Sequence, residues 1–447
     1  MAIENTSDLL VDSSPSKKFF LDMITKDVTV ESSIMDLIDN AIDSLKRNKS
    51  EGVTYHINII LNLSDDFFSI EDDCGGMSKD IALHKAFKFG NAEMRSSNAL
   101  GMYGIGMKRS IFKIGHDFIV ESKCNEESYK VFMTRQEWLE LDNEWKFHIE
   151  DTILDFKDGV HIRVDKLSDS LKSYLKIPKN IDGLKKKIAS SYREHISKDV
   201  VITVNGETVA FCNEALFESS ILHSYVKTYA LGKLKIQVIA GVGVPSPNNA
   251  GWNIVCNGRT IIEKDRSALT GWESSYELND DGSMDSNWES SDKQLPAFHN
   301  DFARFRGYVY LDSDDANNLP LNTTKDGLDM QHPAYEKLFF EMTTAMKSIL
   351  PKLRKLQEVI RDNNLKEEVS ITESFSSINL SDLKAKNNQP FELKLDEYKA
   401  ESKLKSIPIY IEERELKKWK TYYNVPTNKE LGKAILQDIK KRVSFDE

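Results

Sequence analysis

Between residues 29 and 48, apolar residues recur every three or four positions, which is the spacing of a helix. The apolar positions fall on one side of a helix: Ile34, Leu37, Ile38, Ala41, Ile42 and Leu45. Asp36, Asn40 and Asp43 form a polar stripe roughly opposite, with Glu31 and Asp39 as further carboxylates. This pattern predicts an amphipathic helix.

The segments that follow alternate with the period of strands, at 53–63, 67–71, 117–122, 129–133 and 159–164. Residues 100–114 begin as a glycine-rich loop and continue as a helix. We therefore expect a mixed α/β domain over residues 1–170. A second α/β unit is expected over 171–350, with a hairpin turn at Asn205-Gly206 and strands at 234–241, 252–257 and 305–311.

The last third of the chain is predicted to be largely helical. Pro351 should kink or restart the helix that begins near Pro333, and the polar residues 364–390 are typical of a linker. Helix and linker are expected over 351–390, and a small α-rich, basic module over 391–447, with two short helices around Asn424-Val425-Pro426. The acidic residues 273–294 are typical of a long insertion.

Charge is unevenly spread along the 447 residues, whose net charge is −11. Residues 403–443 hold eleven Lys/Arg against five Asp/Glu, a net +6, which leaves about −17 for the rest. An acidic partner, DNA or a protein, is therefore expected at the C-terminal module. The four cysteines form no CxxC pair and there is no long apolar span, so we expect a cytoplasmic protein that does not enter a membrane.

The first chemical motif is Asp36-Leu-Ile-Asp-Asn40-Ala-Ile-Asp43. Its i, i+4 spacing places a carboxylate and a carboxamide on one helical face. A carboxylate can orient a water molecule, and an amide oxygen suits Mg²⁺. The alternative is an ordinary helix that shows its polar residues to solvent.

The second motif, Asp72-Asp-Cys-Gly-Gly76-Met77, directly follows a strand. Asp72 can accept a hydrogen bond from an exocyclic amine such as that of adenine, and glycines allow close approach of the base. The third, Gly101-Met-Tyr-Gly104-Ile-Gly106-Met-Lys108, opens a helix, where free N–H groups favour phosphates. A tight turn and a flexible loop are the alternatives. The loop is neither a Walker A sequence nor a Rossmann fingerprint.

Taken in this order, the three motifs resemble those of the GHKL (Bergerat-fold) ATPase superfamily, and most closely its MORC-like and bacterial stand-alone members. The resemblance implies that Asp36 is the catalytic acid, Asn40 the Mg²⁺ ligand and Asp72 the adenine-binding residue. It places Gly101, Gly104, Gly106 and Lys108 in the phosphate loop and residues 78–100 in the ATP lid. Further nucleotide contacts are expected at Asp43, Gly76, Met77, Tyr103, Ile105 and Met107.

A fourth likeness lies downstream, in Leu319-Pro-Leu-Asn-Thr-Thr-Lys325. In gyrase and MutL relatives an S5-like transducer domain sends one lysine to the γ-phosphate, and Lys325 resembles that catalytic residue. Residues 250–265 resemble the strand and turn of such transducers. The alternative for Lys325 is an exposed lysine on a surface turn.

The resemblance implies a slow, Mg²⁺-dependent ATP hydrolase, since Asp36 replaces the usual glutamate. It also implies a homodimer formed on ATP binding, in a DNA-related or phage-defence role. A chaperone-like scaffold that uses ATP as a clamp is the alternative, with 339–360 and 273–294 as client surfaces. A sensor histidine kinase does not fit, because no histidine lies in a helix ahead of Asp36. Trp419, Tyr422 and Tyr423 would either contact nucleic acid or pack within a helical module.

Overall fold

A computed structural model gives the structure of the chain. It describes residues 15–89, 105–141, 145–196, 198–211, 214–273, 277–278, 284–285, 295–322, 325–366, 370–397 and 409–442. The chain divides into a large unit, residues 1–358 with 374–398, and a small unit, residues 359–373 with 399–447.

The N-terminal part of the large unit alternates helices and strands. Its helices are α1 (Lys17–Lys26), α2 (Val30–Asn48), α3 (Lys79–Ile81), α4 (Gly106–Ile114), α5 (Arg135–Glu140), α6 (Asp169–Leu175), α7 (Pro178–Ser191) and α8 (Arg193–Ile196). Its strands are β1 (Tyr55–Asn62), β2 (Phe67–Asp72), β3 (Gly115–Cys124), β4 (Glu127–Thr134), β5 (His148–Asp151), β6 (Gly159–Leu167), β7 (Val200–Val204) and β8 (Glu207–Thr208). The strands form one sheet in the order β5-β4-β3-β6-β2-β1-β7-β8.

Helix α2 supplies much of the core beneath this sheet. Thr29 caps its N-terminus by accepting a hydrogen bond from the N–H of Ser32, and Lys46 and Arg47 lie in its last turn, where cations are favoured. All six apolar positions expected to face inward are buried. They pack with residues of the sheet and of α4 in one apolar cluster, because removing these side chains from water is favourable.

The first sheet extends beyond residue 170, where the sequence placed the end of the domain. Strand β7 pairs in parallel with β1, and β8 pairs antiparallel with β7. The turn between β7 and β8 has positive φ at Asn205 (50°) and Gly206 (79°), as a two-residue hairpin requires, so the predicted hairpin is confirmed. A boundary at 170 therefore cuts through this sheet.

A second sheet lies in the same unit. Its part of the chain contains the strands β9 (Ala215–Glu218), β10 (Leu222–His223), β11 (Tyr225–Leu231), β12 (Leu234–Val242), β13 (Gly251–Cys256), β14 (Arg259–Asp265), β15 (Glu277–Leu278), β16 (Met284–Asp285) and β17 (Phe305–Asp312). Five of them form the sheet, in the order β11-β12-β17-β13-β14. The three strands expected in this region are confirmed. Apart from Glu273, β15 and β16, the predicted insertion at 273–294 lies outside the described residues.

Helix α9 (Pro333–Lys366) runs through Pro351 in a single element, so the helix does not restart there, and the kink that was the other expectation stays a prediction. Proline removes one backbone donor, but its fixed φ is compatible with a helix. Leu350 and Leu353 on either side are buried, and Trp252 of β13 donates from Nε1 to Sδ of Met346, 3.2 Å away. Packing of both halves therefore outweighs the local cost of the proline.

The segment expected to be a polar linker also has structure. It contains β18 (Ser376–Asn379), α10 (Leu380–Lys384) and β19 (Glu392–Leu393), and β18 pairs with β9 while β19 pairs with β10. Leu380 and Leu383 are buried in the apolar cluster of the second sheet. These two leucines, the buried Phe375, Phe391 and Leu393, and the two strand pairings together anchor this segment.

The small unit contains α11 (Glu413–Tyr423) and α12 (Asn428–Arg442), which confirms the two expected helices. Asn424 ends α11 in the left-handed conformation, with φ 53°. The expected mixed α/β fold, with two sheets followed by C-terminal helices, is thus confirmed. Within the described part of the chain, every helix is too short or too polar to cross a bilayer.

Candidate functional site

The polar side of α2 is buried rather than exposed. Asp36 and Asp39 are each 1% exposed and Asp43 is 7% exposed, whereas Asn40 is exposed. A helix that merely showed its polar residues to solvent is therefore excluded. Carboxylates remain buried only when they are paired, so their partners define the site.

Asp36 is held by two cations from different parts of the chain. Nη2 of Arg109, in α4, lies 2.7 Å from Oδ2, and Nζ of Lys325 lies 3.3 Å from Oδ1. Gly106, the first residue of α4, lies against the same carboxylate, since a Cβ built on it would lie 3.6 Å from Oδ2. The start of α4 and the candidate catalytic acid are therefore neighbours.

Lys325 is 9% exposed, which excludes the exposed surface turn that the sequence left open. Its backbone is left-handed, with φ 55°, and its Nζ lies 2.9 Å from Oδ2 of Asp39. Burial acts to lower the pKa of Lys325, but the charges of Asp39 and Asp36 outweigh burial and raise it. The lysine is therefore a firmly charged group within the site.

Asp36, Asp39, Arg109, Arg259 and Lys325 form a cluster of buried charges, in which Asp39 is the carboxylate with the most partners. Besides Lys325, it pairs with Nη1 of Arg259 in β14 and accepts a hydrogen bond of 2.8 Å from the hydroxyl of Tyr192. Burial acts to raise the pKa of Asp39, but the charges of Arg259 and Lys325 outweigh burial and lower it. The carboxylate is thus ionised and ties α2 to the second sheet.

Sequence reasoning missed Arg109, Arg259 and Tyr192. The sequence identifies Asp39 only as a further carboxylate beside Glu31, and Glu31 accepts a hydrogen bond from the hydroxyl of Tyr174. The helical period identified which side of α2 is polar, but no signal in the sequence indicated which distant cations pack against it.

The turn after β2 holds the second motif close to α2. Oδ1 of Asp72 accepts from the backbone N–H of Cys74 at 2.9 Å, and burial raises the pKa of Asp72 to about 7. The hydroxyl of Ser44, in α2, donates to the carbonyl of Gly76 at 3.2 Å. Gly76 has φ 68°, and a Cβ there would lie 1.9 Å from the carbonyl oxygen of Lys123, so only glycine fits. Met77 is partly buried against the apolar core.

The third motif is described only from Ile105 onward; Gly101, Tyr103 and Gly104 lie outside the described residues, as do 90–100 of the expected lid. Ile105 precedes α4, and Met107 packs against the core. Lys108 is 3% exposed, and its Nζ donates to the carbonyls of Ala86 (2.6 Å) and Lys88 (3.0 Å), while burial lowers its pKa to about 8. The cation that contacts Asp36 from α4 is therefore Arg109 and not Lys108.

The donor set fits a magnesium ion held mainly by phosphate. Asn40 lies one helical turn from Asp36 on α2 and is exposed. Mg²⁺ typically takes one or two protein oxygens and completes its octahedron with phosphates and water. The described residues contain no cluster of three or more His, Cys, Asp or Glu side chains suited to a metal. Asn40 would supply one amide oxygen to such an ion.

Comparison with known proteins agrees with this geometry. Residues 28–158 match the family of histidine kinase-, DNA gyrase B- and HSP90-like ATPases. That segment contains α2, the Asp72 turn and the start of α4, so the chain contains a GHKL-type ATPase domain.

The chain is also similar to MORC proteins. Over 88 residues the chain is 35% identical to Protein MICRORCHIDIA 3 of Arabidopsis thaliana, covering 20% of this chain and 15% of that protein. Over 92 residues it is 33% identical to ATPase morc-1 of Caenorhabditis elegans, covering 21% of this chain and 10% of that protein. The likeness is thus confined to a small part of each relative.

Proposed function

We propose that this chain binds Mg·ATP between α2, the Asp72 turn and the start of α4, and hydrolyses it slowly. The observation that carries the proposal is the buried carboxylate of Asp36, which lies against Gly106 and is paired with Lys325. A buried, oriented carboxylate at the start of a helix suits a base that orients water toward a phosphate.

Each motif has a role in this proposal. Asp36 orients the attacking water, Asn40 holds Mg²⁺, and Asp72 accepts a hydrogen bond from the adenine amine. The remaining nucleotide contacts are proposed for Asp43, Gly76, Met77, Gly101, Tyr103, Gly104, Ile105, Gly106, Met107 and Lys108. Lys108 would have to leave the carbonyls of Ala86 and Lys88 to reach a phosphate.

Slow turnover follows from the length of the Asp36 side chain. Aspartate is one methylene shorter than the glutamate common in hydrolysing GHKL proteins, which withdraws the carboxylate by about 1 Å, and catalysis is sensitive to such displacements. The ion pairs with Arg109 and Lys325 also restrict the carboxylate.

Lys325 is proposed to report the nucleotide state. Its two carboxylate partners, Asp36 and Asp39, compete for it with the γ-phosphate of ATP, which ADP lacks. A shift of Lys325 toward the phosphate would move the second sheet relative to α2. ATP would thereby favour an N-terminal homodimer, and hydrolysis would release it.

Of the two candidate roles, we favour a DNA-related or phage-defence role over a chaperone role. The first is supported by the small unit, and the second finds little support in the large unit. In the small unit, Trp419 is 41% and Tyr422 is 78% exposed beside Lys418, so both rings can stack on bases although each also contacts the ring of Tyr423. In the large unit, most apolar residues of 339–358, among them Met342 and Met346, are buried in the fold and leave little client surface. A cytoplasmic location stays a prediction.

The ATPase rate and the yield of crosslinked dimer test this proposal. Both are measured with Mg²⁺ and ATP, ADP or a non-hydrolysable ATP analogue, each with and without DNA. We expect slow turnover, dimer with ATP and the analogue only, and stimulation by DNA. Hydrolysis without any nucleotide-dependent dimer would contradict the gating, and stimulation by a protein client alone would favour the chaperone-like clamp.

A further inference from the structure

The cluster around Asp36 holds more positive than negative charge. Arg109, Arg259 and Lys325 face two carboxylates, Asp36 and Asp39, and none of the five residues is more than 9% exposed. The charges of the acids raise the pKa values of Lys325 and Arg259 despite burial, so both are cations at neutral pH. Among the residues that the structure describes, the cluster therefore has one positive charge in excess.

The same cluster contains donors without acceptors. Nε of Arg109 and Nε of Arg259 are buried, and neither has a hydrogen-bond partner in the described structure. Buried donors are normally satisfied, because an unmade hydrogen bond is costly. An excess positive charge together with unpaired N–H groups indicates that the cluster accepts an additional anion.

Arg109 is the arginine closest to the expected phosphates along the chain. It lies one turn after Gly106, at the start of the nine-residue helix α4, where free N–H groups favour an anion. Its Nη2 donates to Oδ2 of Asp36. In a guanidinium, Nε–H and one Nη–H point from the same edge and together bind two neighbouring oxygens. The free Nε–H therefore suits an oxygen immediately beside the Asp36 carboxylate.

We propose that Arg109 is a positioning residue that selects nucleoside triphosphates. Without nucleotide, it holds Asp36 in one orientation. With a triphosphate bound, the Nε–H of Arg109 donates to the terminal phosphate, and its Nη2 keeps the Asp36 carboxylate next to that phosphate. One side chain then holds both the water-orienting group and the phosphate. This inference rests on the proposed function, because it assigns a further residue to the same nucleotide site.

The test is the ratio of two dissociation constants, that of ADP over that of a non-hydrolysable ATP analogue, each measured with Mg²⁺ by calorimetry. We compare the full-length wild type with Arg109→Met and Arg109→Lys. Arg193→Met is the matched control, because Arg193 is 5% exposed, pairs with Glu214 at 2.7 Å and also has unpaired buried nitrogens. Melting temperatures report the structural cost of each change.

We expect Arg109→Met to lower the ratio by about tenfold or more, equivalent to about 1.4 kcal/mol, while ADP affinity stays within about threefold of the wild type. Arg109→Lys should give an intermediate ratio, because lysine keeps the charge but loses the planar pair of donors. Arg193→Met should lower the melting temperature and leave the ratio unchanged. If Arg109 had only a structural role, Arg109→Met would likewise lower the melting temperature and leave the ratio unchanged.

An unchanged ratio in Arg109→Met, with ADP still bound, would overturn the role of Arg109 and leave the proposed function intact. If Arg109→Met does not fold, Arg109→Lys decides: a ratio lowered by about threefold or more supports the role, and an unchanged ratio overturns it. A wild type that binds neither nucleotide would contradict the proposed function itself, and the role of Arg109 with it.

Discussion

Lys325 and Asp39 lie 286 positions apart in the sequence, yet Nζ of the lysine is 2.9 Å from Oδ2 of the aspartate. The lysine follows the last strand of the second sheet, and the aspartate lies in α2 under the first sheet. Asp39 is also paired with Arg259 of β14. One carboxylate thus joins two separate segments of the second α/β region to the helix that bears the candidate catalytic acid.

Asp39→Asn should destabilise the protein strongly. The change removes the shared partner of Lys325 and Arg259 and leaves both cations buried with incomplete pairing. Breaking a buried ion pair from one side costs about 3–5 kcal/mol. Urea unfolding measures the loss. Asp165→Asn is the control, since its pair with Arg163 is exposed and should contribute at most about 1 kcal/mol. Equal losses in the two variants would show that Asp39 has no such role.

Asp36→Ala should stop turnover and spare nucleotide binding. Without the carboxylate no group orients the attacking water, and loss of a general base typically slows a reaction by about 10²–10⁴-fold. Glu31→Gln is the control from the same helix, because Glu31 bonds to Tyr174 and not to the cluster. Steady-state ATPase rates and equilibrium binding are measured for both. Wild-type turnover in Asp36→Ala would remove this residue from the mechanism.

Lys325→Ala should bind ATP but hydrolyse it at a rate at least about tenfold lower than that of the wild type. The reason is that a positive charge at the transferring phosphate stabilises the transition state. The ATP-dependent dimer should also be lost. Lys166→Ala, which removes an exposed lysine paired with Asp117, serves as the control. Crosslinking with the non-hydrolysable analogue measures the dimer. A normal dimer yield in Lys325→Ala would show that this lysine does not sense the nucleotide.

Asp72 should make stability depend on pH in the absence of nucleotide. Burial raises its pKa from 3.8 to about 7, so the folded protein keeps the proton over a range in which the unfolded chain has lost it. Its contribution to stability therefore falls as pH rises from about 4 to about 7, and is constant above that. Melting temperatures of the wild type and Asp72→Asn across pH 4–8 measure the difference. Parallel curves would mean that Asp72 is already ionised when folded.

The apolar pattern predicted α2, the main strands and the two terminal helices because local periodicity determines which face is buried. It did not predict that β7 joins the first sheet beside β1, since pairing partners distant in sequence leave no periodic signal. Residues 374–397 illustrate the same limit, because their polar sequence does not show that Leu380 and Leu383 are buried in the apolar cluster of the second sheet.

The sequence could propose candidate site residues where the chemistry lies in a short motif. Asp36, Asp72 and Gly106 lie in motifs with fixed order, and Ser44 connects the first to the second. The role of Lys108 stays a prediction, because spacing cannot tell a phosphate ligand from a lysine bonded to nearby carbonyls. Arg109, its neighbour in the sequence, makes the contact with Asp36.

Calorimetric titration of Mg·ATP into the full-length protein and into Asp72→Asn tests the central claim most directly. We expect a saturable heat with one nucleotide per chain in the wild type. Asp72→Asn should give no such heat while keeping its folded circular-dichroism spectrum, because the adenine amine loses its carboxylate acceptor. No heat in the wild type, or equal affinity in the two proteins, would contradict an adenine nucleotide bound between α2, the Asp72 turn and the start of α4.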